Sequence, residues 1–92
     1  MKILLTDDHA VVRHGLKQIL ADEFKRATFG EARNAQEALN KIWKEDWDVV
    51  VLDITMPGRS GLDVLREIKK SRPRLPVLVL SMHPEGQFAV RV

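Results

Sequence analysis

Three aspartates and a serine occupy equivalent places along this sequence, each where an apolar segment ends. Asp7 and Asp8 follow residues 2–6, Asp53 follows residues 48–52, and Ser81 ends the segment 76–81. The carboxyl ends of parallel strands meet at one edge of a sheet, which is where ligands bind in open α/β folds. If the segments that carry them are neighbouring strands, these four side chains converge on one site.

Carboxylates gathered in this way restrict the chemistry of the site. At a separation of ~5 Å and an effective dielectric constant of ~20, each like-charged pair costs about 3 kcal/mol. Either one carboxyl group binds a proton or a cation binds. Oxygen ligands favour Mg²⁺, and a carboxylate such as Asp53 can act as a nucleophile toward a phosphoryl group. The turn residues Pro57 and Gly58 follow Asp53 closely and would expose its carboxylate.

Structural roles for the same residues stay open at this point. Asp7 and Asp8 could cap the first helix, because acidic residues suit a helix N-terminus. Asp53 could be a turn residue, and Ser81 could cap a turn or a helix. The placement of all four at the ends of successive strands favours a shared site. The three histidines match no metal-ligand spacing and are not predicted to bind a metal; they are His9, His14 and His83.

Four apolar segments alternate with amphipathic ones along the chain. The predicted strands are Lys2–Thr6, Ala27–Arg33, Asp48–Leu52 and Pro76–Ser81. The third and fourth contain uninterrupted apolar runs, 49–52 and 77–80, which are typical of strands buried on both faces of a parallel sheet.

The intervening segments carry helical periodicity. The first predicted helix places Val12, Leu16, Ile19 and Leu20 on one buried stripe. The second opens with a capping signal at Asn34, the third opens at 60–63 and ends before Pro73, and a fourth is predicted from about 84–85 onward. The order βαβαβαβα predicts an α/β fold with a parallel sheet and right-handed crossovers.

Length and composition narrow the function classes. The chain has 92 residues, a net charge of +2 and no cysteine, so it has room for one domain and cannot form disulfides or cysteine–zinc sites. No apolar run approaches the ~20 residues of a membrane span. The one basic cluster, within 69–74, is interpreted as complementing a helix C-terminus rather than as a nucleic-acid surface. We expect a soluble, cytoplasmic protein.

The combined motifs resemble the receiver domain of two-component response regulators. The resemblance rests on Asp7-Asp8, on Asp53 with Met56-Pro57-Gly58, and on Ser81. The segments 7–9, 12–16 and 80–83 are similar to the NarL/FixJ subfamily of transcription factors, and the resemblance covers the whole chain. It implies a flavodoxin-like open parallel sheet with strand order 2-1-3-4.

The resemblance also implies a role for each site residue. Asp53 would accept a phosphoryl group from a sensor histidine kinase, making the chain a phosphoacceptor rather than an enzyme. Asp8 would bind Mg²⁺ directly, and Asp7 would support the metal largely through water. Thr55 would offer its backbone carbonyl to the metal, and Ser81 would be the switch hydroxyl that contacts the phosphoryl oxygens.

The sequence departs from the family pattern after the fourth strand. The fifth strand, the lysine at its end and the fifth helix are missing, so residues 1–92 are interpreted as a C-terminally incomplete receiver domain. Contact with DNA would require a C-terminal domain that is absent here. The fourth strand would be an exposed apolar sheet edge, which predicts a homodimer or a domain-swapped oligomer.

Three other functions compete with this interpretation. A haloacid-dehalogenase-like phosphatase would carry a second aspartate where this chain has Thr55. A flavodoxin-like cofactor module would have a phosphate-binding loop where Asp7 and Asp8 would repel phosphate. A chemically inactive structural or interaction fragment is the third.

Overall fold

The computed structural model describes residues 1–54, 61–83 and 86–91, with side chains described for residues 1–54 and 61–80. Within these ranges the chain forms five strands and three helices. The strands are β1 (Lys2–Thr6), β2 (Thr28–Ala32), β3 (Val49–Asp53), β4 (Val77–His83) and β5 (Gly86–Arg91). The helices are α1 (Ala10–Glu23), α2 (Ala35–Lys44) and α3 (Gly61–Ser71).

The strands form one sheet in the order β2-β1-β3-β4-β5. The first four strands run parallel, with Ile3 beside Val49 and Val50 beside Val77 in register. The predicted order 2-1-3-4 is therefore confirmed. All four predicted strands exist, and the observed ends differ from the predicted ones by at most two residues.

Apolar side chains cover both faces of the parallel sheet. On one face, Leu4, Val50 and Val77 join α2 and α3 in the larger core. On the other, Ile3, Leu5 and Val51 pack with α1 in a smaller core. Because alternate residues of a strand point to opposite faces, two covered faces require the uninterrupted apolar runs seen in β3 and β4.

Helix α1 contributes less to the core than its sequence pattern predicts. Leu16 and Leu20 pack against the smaller core, but Ile19 is 63% exposed. The prediction of a buried stripe is therefore wrong at Ile19. Among the described helices, α1 alone covers the sheet face of Ile3, Leu5 and Val51, so no second helix packs against the side of α1 that carries Ile19. Val11 lies off the stripe and is 85% exposed, as predicted.

Helix α2 begins with the predicted cap, in a modified form. The Asn34 side chain accepts a hydrogen bond from the Glu37 backbone N–H at 2.9 Å. The Glu37 carboxylate reaches back to accept from the N–H of Arg33 at 3.1 Å, one residue earlier than a standard capping box. The first interaction satisfies an N–H that the first turn would otherwise leave unpaired, and the second pairs the N–H of the residue before the cap.

The segment after β4 differs from the predicted helix. Residues 86–91 form β5, which pairs antiparallel with β4 from Leu78 beside Arg91 to His83 beside Gly86. The predicted fourth helix is therefore wrong for these residues, while residues 84–85 lie outside the described ranges. The predicted open edge on β4 is wrong as well, because β5 occupies it.

None of the helices in the described part of the chain combines the length and hydropathy that a bilayer span requires.

Candidate functional site

The register of the sheet brings Asp7 and Asp53 to the same edge. Thr6 of β1 lies beside Leu52 of β3, so the residues that follow these two, Asp7 and Asp53, lie side by side at this edge. The Asp7 N–H donates to the Ala32 carbonyl of β2 at 3.1 Å, which continues the sheet hydrogen bonding to this residue. Regular strand pairing thus fixes the backbone at both aspartates.

Four side chains converge at this edge. Asp7, Asp8, His9 and Asp53 each place one potential ligand atom within 4.8 Å of all the others. Asp7 and Asp53 are 2% and 1% exposed, whereas the Asp8 side chain is 26% exposed. The cluster therefore has a buried floor of two carboxylates and a solvent-facing side at Asp8.

The turn between β1 and α1 organises the cluster. The His9 N–H donates to Asp7 Oδ1 at 2.7 Å, so the Asp7 carboxylate holds the residue that begins the helix. The imidazole Nδ1 of His9 lies 3.2 Å from Asp7 Oδ1 and 2.9 Å from Asp8 Oδ1. Asp7 therefore has both a structural role in the turn and a charge that faces the cluster.

Opposing effects act on the Asp7 carboxyl group. Burial raises its pKa above the ordinary value, and the nearby charge of Asp53 raises the pKa further. The hydrogen bonds from His9 lower the pKa, but the net direction is upward. Without a cation, the negative form of Asp7 is therefore less stable in the folded protein than in the unfolded chain.

The donor set fits a hard divalent cation. Asp8 Oδ1 is shielded from solvent and accepts no hydrogen bond from any described residue, despite its short distance to His9. A solvent-shielded carboxylate oxygen beside two buried carboxylates is a place where a cation restores favourable electrostatics. Carboxylate oxygens are the ligands that Mg²⁺ takes, usually with water completing its coordination.

Two predicted site residues cannot be placed in the cluster. Thr55 lies outside the described residues. Ser81 lies within β4, which continues to His83, so the prediction that it ends the strand is wrong. Its backbone comes one residue after Leu80, the register partner of Asp53. The position of its side chain lies outside the description.

Sequence reasoning missed His9 as a member of the cluster and Arg13 as its neighbour. His9 directly follows two aspartates at a strand end, and that position is the signal that could have included it. Arg13 is buried in α1 and donates to the backbone carbonyl of Asp7 at 2.6 Å. No spacing rule predicts this contact, because a helical arginine is ordinarily solvent-exposed. His14 is exposed on α1.

Gly61 supports the other side of the site. A Cβ atom at this position would lie 2.4 Å from the Ile54 Cα, so α3 begins in direct contact with the residue that follows Asp53. Only glycine allows this approach without displacing backbone. The start of α3 therefore holds the end of β3 in place.

The model of the response regulator receiver domain family matches residues 3–92 of this chain. The chain belongs to that family. This receiver domain aligns over its full length with the response regulator GacA of Pseudomonas syringae pv. syringae, at 35% identity, and spans 43% of that relative. GacA is a NarL/FixJ-type response regulator, which confirms the predicted subfamily.

Solved structures agree with the fold of the receiver domain. The response regulator TrrA of Thermotoga maritima, in complex with Mg²⁺ and BeF, matches 91% of this chain and 71% of its own with a TM-score of 0.83 and 37% identity. TrrA has also been solved in complex with the histidine kinase ThkA, and that structure matches with a TM-score of 0.80. A DNA complex of RcsB matches 90% of this chain and 43% of its own, with a TM-score of 0.80 and 29% identity.

These matches also decide between the competing functions. The receiver family accounts for the acidic cluster and the sheet order together, whereas a phosphatase or cofactor module requires residues that this sequence replaces. A chemically inactive fragment is not favoured, because the family model matches residues 3–92 and three carboxylates converge at one edge of the sheet. A receiver domain is a signalling module rather than a classical enzyme.

Proposed function

We propose that this receiver domain is phosphorylated on Asp53 in a two-component pathway, with Mg²⁺ bound by the neighbouring carboxylates. The observation that carries the proposal is the convergence of Asp7, Asp8 and Asp53 within 4.8 Å at the carboxyl end of adjacent strands. Asp53 ends β3, and its fixed backbone presents one carboxylate at the centre of this edge.

The residues divide the chemistry between them. An Asp53 carboxylate oxygen attacks the phosphorus of the donor, the bond from phosphorus to the leaving nitrogen or oxygen breaks, and an aspartyl phosphate forms. Asp7 and Asp8 concentrate negative charge beside the reacting carboxylate, which by itself opposes an anionic donor. Bound Mg²⁺ would supply positive charge that offsets both the carboxylates and the phosphoryl oxygens.

Asp8 and Asp53 are the proposed direct ligands, Asp7 is proposed to act largely through water, and Thr55 is proposed to contribute its carbonyl. Ser81 is proposed as the hydroxyl that contacts the phosphoryl group. The exposure of Asp8 supports entry of both cation and donor from its side, since Asp7 and Asp53 are almost fully buried.

Phosphorylation can be tested with a small acyl-phosphate donor. Intact mass spectrometry of the protein incubated with acetyl phosphate and Mg²⁺ should show one phosphoryl adduct, which should not form when Mg²⁺ is chelated before the donor is added. Asp53→Asn should abolish the adduct, while Asp22→Asn, which changes an exposed aspartate on α1, should leave it unchanged. An equal adduct on Asp53→Asn would show that the nucleophile is misassigned.

The partners are proposed from the relatives. TrrA binds a histidine kinase, which supports a sensor kinase as the phosphoryl donor. RcsB binds DNA, which supports transcriptional regulation through a DNA-binding domain outside these residues. A cytoplasmic location, and the interpretation of residues 1–92 as a C-terminally incomplete receiver domain, stay predictions.

The start of α1 is the proposed docking surface for the kinase. Val11 is 85% exposed in the first turn of α1 and follows Asp8 by three residues in the sequence. Val11→Asp should slow phosphotransfer from the kinase while leaving phosphorylation by acetyl phosphate unchanged. Unchanged transfer from the kinase would exclude this surface.

Self-association stays a prediction that has lost part of its original support. The homodimer or domain-swapped oligomer was inferred from an open β4 edge, and β5 closes that edge. Sedimentation at several protein concentrations tests it directly. A dimer that forms as the concentration rises would support the predicted self-association, and a monomer at every concentration would exclude it.

A further inference from the structure

Arg13 is an unusual residue for its position. It is the only buried residue among those of α1, all of which the structure describes, and its side chain is 10% exposed. A helix face turned toward a sheet ordinarily carries apolar side chains. Burying a guanidinium is costly unless charge and hydrogen bonds compensate it, so its contacts must account for its presence.

Those contacts join two parts of the fold. Arg13 Nη1 donates to the backbone carbonyl of Asp7 at 2.6 Å, and Nε donates to Glu31 Oε1 on β2 at 3.0 Å. The carbonyl of Asp7 belongs to the peptide that connects Asp7 to Asp8. A planar guanidinium held at two points fixes that peptide more tightly than a single flexible donor would.

We propose that Arg13 is a positioning residue for cation binding, and that Glu31 holds Arg13 in place. By fixing the peptide between Asp7 and Asp8, Arg13 sets the directions of both carboxylates toward Asp53. This inference rests on the proposed function, because it concerns the same cluster. It makes cation binding depend on Glu31 of β2, an edge strand that contributes no side chain to the cluster itself.

A simple charge effect predicts the opposite result. A positive guanidinium near a cation site repels the cation, so its removal would tighten Mg²⁺ binding if charge alone acted. Positioning predicts weaker binding when the guanidinium is removed. Arg13→Lys separates the two further, since lysine keeps the charge but lacks the planar two-point geometry.

The test measures Mg²⁺ affinity by calorimetry on folded protein. Loss of groups that orient metal ligands typically weakens binding by ~10-fold or more. We expect Arg13→Gln to weaken Mg²⁺ binding roughly 10-fold and Arg13→Lys to weaken it as well. The matched control is Arg66→Gln, which removes an exposed arginine paired with Asp63 on α3 and should leave the affinity unchanged.

A second measurement reports the order of the turn between β1 and α1 in the absence of metal. The His9 amide donates to Asp7 Oδ1, so its hydrogen exchange reports the order of this turn. Arg13→Gln should accelerate exchange of that amide, and Arg66→Gln should not. If Arg13→Gln does not fold, Glu31→Gln is the alternative variant, because it removes the carboxylate that pairs with the guanidinium and keeps Arg13 itself. Glu31→Gln should weaken Mg²⁺ binding. Its control is Glu23→Gln, which removes the same charge at the exposed end of α1 and should weaken binding less.

The outcomes separate this inference from the proposed function. Wild-type binding together with equal or tighter binding by Arg13→Gln would overturn the role of Arg13 and leave the metal site standing. Absence of Mg²⁺ binding by the wild type would overturn the metal site, and the positioning role with it.

Discussion

Replacing Asp7 by asparagine should stabilise the metal-free protein. Asp7 is 2% exposed and faces Asp53 across the cluster, where their carboxylate oxygens lie within 4.8 Å. Two unit charges 4.8 Å apart repel by about 3.5 kcal/mol at an effective dielectric constant of about 20. Asparagine removes that repulsion, and its side-chain oxygen can still accept the hydrogen bond from the His9 N–H.

The net gain is smaller than the full repulsion. The hydrogen bond from His9 is stronger to a carboxylate than to an amide, and the raised pKa means that Asp7 is already easier to neutralise. We expect Asp7→Asn to raise the free energy of unfolding by about 1–2 kcal/mol at neutral pH. Each kcal/mol corresponds to a rise in Tm of roughly 4–8 °C for a domain of this size.

The dependence on pH follows from the direction of the pKa shift. Because the pKa of Asp7 is raised on folding, the folded protein binds this proton more tightly than the unfolded chain does. The wild type therefore loses stability as the pH rises from the ordinary value of 3.8 through the raised native pKa. The advantage of Asp7→Asn should be full above the native pKa and should disappear as the pH falls toward 3.8.

Urea unfolding followed by circular dichroism, with and without Mg²⁺, measures these differences. Saturating Mg²⁺ should stabilise the wild type more than the variant, which narrows or reverses the difference between their free energies of unfolding. Asp22→Asn is the matched control and should change stability little under every condition. A variant that is less stable than the wild type at neutral pH, or whose advantage does not vary with pH, would refute the electrostatic account of Asp7.

Three further substitutions test the scaffold through unfolding free energies. Gly15→Ala should stabilise α1 by up to ~1 kcal/mol, because nothing beyond the adjoining backbone of α1 lies within 4 Å of the added methyl group and alanine favours helix. Gly61→Ala should instead destabilise by about 1–3 kcal/mol, because the methyl group would meet the Ile54 backbone; equal effects of the two changes would contradict this contact. Asn34→Ala should cost about 1 kcal/mol by removing the cap on the Glu37 N–H, and a loss below a few tenths would show that the cap contributes little.

The parallel sheet was predictable because its signals are local and repeated. Uninterrupted apolar runs such as 49–52 and 77–80 are needed when both faces are covered, and the capping signal at Asn34 marks a helix start from four adjacent residues. The aspartates of the site were predictable for the same reason, since Asp53 ends β3 and Asp7 and Asp8 come directly after β1.

The features that the sequence did not predict depend on contacts between distant parts of the chain. Residues 86–91 were predicted as a helix from their start near Pro84, yet pairing with the free edge of β4 makes them a strand that places Phe88 beside Ser81. Ile19 follows helical periodicity, but the pattern does not reveal whether a neighbour covers its flank. Arg13 meets Asp7 only after α1 has packed against the sheet.

The two tryptophans lie at the opposite end of the sheet from the acidic cluster. Trp47 precedes β3, where its ring covers Gly30 and its Nε1 donates to the Lys41 carbonyl at 2.9 Å. Residues in a parallel strand rise by about 3.3 Å each, so the two ends of β3 are roughly 13 Å apart. Trp43 Nε1 contacts Ser71 Oγ at 3.3 Å, near the ends of α2 and α3.

Tryptophan fluorescence in this protein should therefore change on unfolding and should change little when a cation or a phosphoryl group binds at Asp53. The ring of Trp47 is sensitive to its own surroundings, including the Lys2 ammonium 4.7 Å from the ring centroid, and these change when the chain unfolds. Emission that shifts on adding Mg²⁺ to fully folded protein would thus report a change carried along the length of the sheet. The two tryptophans therefore distinguish cation binding that stays local to the acidic cluster from binding that changes the structure at the far end of the sheet.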